Sequence, residues 1–115
     1  MTTPTRPADW AARLRLVEHS VELLRSVQVL DRSSLWYGGF RDPLRLVAEP
    51  WYAANGAETM VAAWVEPRSR YFLDPNLLIS INLALDYLLR NQYANGTIDA
   101  YFVGDMQAAP NVAFV

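Results

Sequence analysis

Apolar side chains recur at helical spacing in three stretches of the chain, separated by intervals rich in Pro, Gly and Ser. Residues one and two turns apart share a helix face, so each stretch predicts a helix with a buried stripe. The first is predicted over about residues 9–30, with Asp9 as its cap and Trp10, Leu14, Val17, Val21 and Leu24 on the core face. Leu16, Leu23, Val27 and Leu30 widen that stripe enough to require more than one neighbour. Glu18, Glu22, Arg25, Arg13 and Arg15 supply the solvated strip between. A second helix, about 50–66, follows Pro50, places Ala57, Met60, Val61 and Trp64 on one face, and stops before Pro67. The third, about 74–92, has the strongest boundary signals. Asp74 caps it, Pro75 sits where a missing N–H costs nothing, and Leu77, Leu78, Ile81, Leu85 and Leu88 form its stripe. The small side chain of Ala84 on that face lets a neighbouring helix come close.

The connections carry as much information as the helices. Residues 31–50 are long for a linker and place Trp36, Tyr37 and Phe40 around the pair Gly38-Gly39. These rings either plug one end of a helical bundle or contact a ligand. After the third helix, Asn95-Gly96 marks a turn, and Thr97 to Val103 is β-branched and aromatic enough to be extended. Residues 93–110 read as a loop and 111–115 as the first turn of a further helix, while residues 1–8 read as a disordered lead. The expectation is one all-α domain across 1–115, partial and incomplete at its C-terminus.

Composition narrows the function classes. A net charge of −2 with no basic stripe argues against nucleic acid and anionic membranes. No apolar run reaches the roughly 18 residues of a membrane span, and the first residues lack a signal-peptide core, so the chain as written is expected to be cytoplasmic. All ten basic residues are Arg, a pattern that fits high-GC coding bias. The absence of Cys removes disulfides and thiolate chemistry. With one His and scattered carboxylates, neither a metal site nor another cofactor is expected. His19 lies one turn before Glu22, where a local contact is the ordinary role.

No nucleophile elbow, P-loop or dinucleotide fingerprint is present. Asp42, Glu49, Asp99 and Asp105 fall in loops or at helix edges, where carboxylates serve as caps or line a cleft. Rings beside polar loop residues suit sugars, whose C–H faces stack on aromatics while their hydroxyls meet amides and carboxylates.

Four blocks of this sequence resemble, in order, the amino-terminal portion of heparinase II/III-like proteins. They are Trp36-Tyr37-Gly38-Gly39-Phe40-Arg41-Asp42, Pro67-Arg68-Ser69-Arg70-Tyr71, the run Leu85 to Gln92 with Asn95-Gly96-Thr97-Ile98-Asp99, and Gly104 to Phe114. The resemblance implies a partial α/α toroid of antiparallel helix pairs with long loops, whose loops at one end line a cleft for an acidic polysaccharide. It implies β-elimination as the family's chemistry, with the uronate carboxylate neutralised so that the C5 proton becomes acidic. The catalytic base and acid of such a lyase are not recognisable here, so the chain is expected to be inactive alone. Asp105 stands where some members carry Asn, a departure that puts the substrate class in question. Trp36, Tyr37, Asp105, Gln107 and Asn111 are the substrate-binding candidates. Two alternatives stand beside this reading: a non-catalytic helical module that binds a partner or itself through an exposed apolar face, and part of a toroid-fold glycoside hydrolase or epimerase.

Overall fold

The structure, a computed structural model, describes residues 7–42, 48–92 and 96. Within them the chain is all-helical, with α1 at Pro7–Val27, α2 at Pro50–Val65 and α3 at Pro75–Arg90. The lead before residue 7, the loop beyond Gly96 and the helix start at 111–115 lie outside the described residues.

Each helix is bounded by local chemistry. α1 begins at Pro7, ahead of the predicted start, so Asp9 is not its cap. Its carboxylate sits instead in the first turn, near the positive end of the helix dipole. Pro50 and Pro75 open α2 and α3, where proline removes an N–H that would have no partner. The Asp74 carboxylate accepts from the Asn76 N–H at 2.9 Å, the cap the sequence predicts. α1 stops at Val27, short of the predicted residue 30, because Gln28 turns out to pair with Phe40 in an isolated antiparallel bridge. The N–H groups of Val29 and Gly38 then bond across this narrow loop to the carbonyls of Gly39 and Val29, each at 2.8 Å.

The helices pack as neighbours in chain order, α1 on α2 and α2 on α3. α2 and α3 run antiparallel: Trp64 near the end of α2 donates its indole N–H to the Asp74 carbonyl, and Tyr87 near the end of α3 donates its hydroxyl to the Ala48 carbonyl before α2. α1 opposes α2 in the same way, since Leu24 approaches Gly56 whereas Val17 lies across from Glu58 and Ala62. Between them sits a core of Val21, Leu24, Phe40, Met60, Leu77, Ile81, Tyr87 and Leu88, with Ala53, Ala57, Ala63 and Ala84 at the close approaches. Each large side chain buried here contributes about 1.5–3 kcal/mol.

Several predicted core positions face outward. Trp10, near the start of α1, is 44% exposed, with the Arg68 guanidinium 4.4 Å from its ring centroid. Val61, Leu78 and Leu85 are exposed too, while the small residues Ala63, Ser80 and Ala84 of the same helices are buried. Consequently the outer flank of α3 carries Leu78, Ile79, Leu85 and Leu89, and that of α1 carries Leu16 and Leu23, with Leu30 just beyond its end.

Candidate functional site

Loop 28–42, the residues before α2 and the end of α3 meet at one end of the bundle. Gln28 ties them together: its buried side-chain amide donates to the Gly38 carbonyl and to the Ser80 carbonyl of α3, both at 3.0 Å. The contact at Gly38 is tighter still. Its φ of +91° belongs to the left-handed region, and a Cβ there would lie 2.2 Å from the Leu83 carbonyl oxygen of α3. Only glycine lets the loop rest on the helix backbone.

This seating presents Trp36 and Tyr37 at the bundle end. Both are half-buried, and Trp36 packs against the core. Each ring carries a guanidinium: Arg41 lies 5.6 Å from the Trp36 centroid, and Arg90 lies 5.7 Å from that of Tyr37. Arg90 also sits 5.9 Å from the Tyr87 centroid and donates to the Tyr37 carbonyl. Guanidinium stacking on a ring face contributes about 0.5–1 kcal/mol at exposed sites, and it leaves the in-plane N–H edge to meet an acceptor. Beside this cluster an open groove of about 400 Å³ runs between the end of α1 and the loop, lined by Gln28, Leu30, Asp31 and Arg41 among others.

Asp31 and Glu49 sit in different environments at this end of the bundle. Asp31 is exposed, and donation from the Ser33 hydroxyl and N–H holds its carboxyl below the usual range. Glu49 is buried at the entry to α2. Burial and the Glu49 charge push the Tyr87 phenol well above its ordinary value, so it stays protonated and donates to Ala48.

Of the predicted site residues, Trp36 and Tyr37 stand side by side on this surface, while Asp105, Gln107 and Asn111 lie outside the described residues. Phe40, grouped with the two rings in the sequence, is fully buried and packs near Gly56, where a Cβ would come within 2.6 Å of it. Thus the loop divides its rings: Phe40 plugs the bundle, and the other two remain accessible. Arg41, Arg90 and Gln28 were not singled out from the sequence. Arg90 follows Tyr87 by one helical turn, a spacing that signals their contact, but its approach to Tyr37 crosses 53 positions.

The opposite end of the bundle is a charge network. Arg70 pairs with Glu22, the Arg70 N–H bonds to Glu18 at 2.8 Å, and Arg68 pairs with Glu66. His19 lies 3.8 Å from Glu22. Among the described residues no group of His and carboxylates could hold a metal ion, and no helix is long and apolar enough to cross a membrane. No protein-family model, curated protein or solved structure matches this chain.

Proposed function

We propose that the chain is part of an α/α toroid of the heparinase II/III-like kind, and that the bundle end carrying Trp36 and Tyr37 lines a cleft for an acidic saccharide. The observation that carries this reading is the pairing of Trp36 with Arg41 and of Tyr37 with Arg90 on one loop surface. A ring face accepts the C–H surface of a pyranose, and an adjacent guanidinium accepts its carboxylate. The groove beside Arg41, at about 400 Å³, falls within the roughly 300–1,000 Å³ of small-molecule sites. Asp105, Gln107 and Asn111, the remaining sequence candidates for this cleft, lie outside the described residues.

Antiparallel helices in chain order and apolar outer flanks on both α1 and α3 support the toroid. In such a ring every helix pair is flanked by others, so these leucines are the surfaces on which neighbours pack. In this reading the chain supplies binding surface, and Trp36, Tyr37, Arg41 and Arg90 take no part in the elimination chemistry.

Titration with an unsaturated-free tetramer of uronic acids, followed by tryptophan fluorescence, tests the proposal. Saturable quenching that Trp36→Ala removes is expected. A response unchanged in Trp36→Ala, or absent from the wild-type chain, contradicts it. The exposed leucines also favour a second reading, a helical module that associates with itself or a partner through these flanks. Light scattering separates the two, since association that Leu16→Ser and Leu23→Ser abolish, without saccharide binding, favours the module.

A further inference from the structure

At the far end of the bundle Arg68 lies over the Trp10 ring and Arg70 over that of Tyr71, and each also holds a carboxylate. Arg90 lies near two rings as well, but among the described residues its hydrogen-bond partner is a main-chain carbonyl in place of a carboxylate. One of those rings is rigid: Tyr87 is fully buried, and its hydroxyl is committed to the Ala48 carbonyl. Arg90 is thus exposed but held in place. An arginine offers five N–H donors in a planar fork, and the Tyr37 carbonyl engages one of its terminal nitrogens. Fixing a rotamer-rich side chain before binding removes an ordering cost that a free surface arginine would meet on binding.

We infer that Arg90 is the residue that recognises the carboxylate of the ligand, a deepening that rests on the acidic-saccharide reading above. A carboxylate is planar and accepts two parallel N–H bonds, which matches the edge of a guanidinium that lies 5.7 Å from the Tyr37 ring centroid and 5.9 Å from that of Tyr87. The adjacent Tyr37 ring then takes the sugar face of the same residue. Arg90 is a specificity determinant in this account; it has no role in moving protons.

The competing role is mechanical, a tether that holds loop 28–42 to the end of α3, and the two roles differ in what a variant loses. The test measures affinity for a tetramer of uronic acids and for the same tetramer with its carboxyl groups reduced to alcohols, using wild type, Arg90→Gln and Arg90→Lys. Arg90→Gln is expected to weaken uronate binding by about 10- to 100-fold, the range for one hydrogen bond to a charged group. Binding of the reduced tetramer is expected to stay unchanged. Arg90→Lys keeps the charge and loses the fork, so it is expected to give a smaller loss confined to the uronate; it carries the test where Arg90→Gln fails to fold. Equal losses for both tetramers, or no loss for either, overturn the inference and leave the saccharide reading standing. Wild-type protein that binds neither tetramer overturns that reading itself.

Discussion

Replacing Gly38 by alanine tests whether the loop is seated on α3 as described. The new methyl carbon would lie 2.2 Å from the Leu83 carbonyl oxygen and 2.8 Å from its carbon, both main-chain atoms that cannot swing aside. Relief therefore requires the loop to lift by at least about 1.3 Å, since ordinary carbon contacts lie near 3.5–4.0 Å. Such a shift loosens the Gln28 bonds to Gly38 and Ser80. A φ of +91° adds about 1–2 kcal/mol for a residue with a Cβ, and overpacking adds about 1–3 kcal/mol. The sum is about 2–5 kcal/mol. At a urea slope of about 1.5 kcal/mol/M, the midpoint falls by about 1.3–3.3 M. Gly96→Ala supplies the comparison, because its φ of +87° is similar while the nearest atom among the described residues lies 4.0 Å away. It is expected to cost about 1–2 kcal/mol, the backbone share alone. Equal losses in the two variants would show that Gly38 does not touch the helix and would refute this placement of the loop.

The buried phenol of Tyr87 gives a second prediction: Tyr87→Phe leaves the Ala48 carbonyl without its hydroxyl partner and costs about 1–3 kcal/mol by urea denaturation. The same group predicts a pH dependence. Its pKa is raised on folding from an ordinary 10.0, so its contribution is fully present below pH 10.0 and lost as pH rises beyond that value. Wild-type stability should fall above pH 10.0 more steeply than that of Tyr87→Phe, and parallel profiles would remove Tyr87 as the cause. Gln28→Leu should destabilise by about 1–3 kcal/mol per carbonyl left unsatisfied, and a neutral result would mean that water replaces the amide. Leu73 is half-exposed with φ +53°, so Leu73→Gly is expected to raise the urea midpoint by the equivalent of about 0.5–1 kcal/mol. A lower midpoint would mean that its side-chain packing outweighs the strain.

The helices were legible because their signals are local. Pro50, Pro75 and Asp74 mark starts whose physics involves only neighbouring residues, and the stripe through Val17, Val21 and Leu24 follows from helical spacing. Which leucines are buried was less legible. Leu77 and Leu88 face the core while Leu78 and Leu85 do not, and the small residues Ser80 and Ala84 of the same helix are buried. The end of α1 was hidden as well: Val29 and Leu30 extend the helical pattern, but pairing of Gln28 with Phe40 twelve positions away ends the helix first. At the candidate site, Trp36 and Tyr37 stood out as rings beside glycines. Arg90 did not, since one arginine at a helix end has an adequate local role opposite the helix dipole. Only the fold brings it to Tyr37. The toroid and its saccharide rest on resemblance together with the arrangement of rings, arginines and apolar flanks.

The most direct test of the central claim, that the bundle end bearing Trp36, Tyr37 and Arg90 is the binding surface, is residue-resolved nuclear magnetic resonance with a tetramer of uronic acids. Amide shifts on titration should concentrate at Trp36, Tyr37, Gly38, Arg90 and Asn91. The turn Pro67–Asp74, at the opposite end, should stay silent although it also carries arginines. Shifts centred on Arg68 and Arg70, or none anywhere at saturating ligand, would contradict the account.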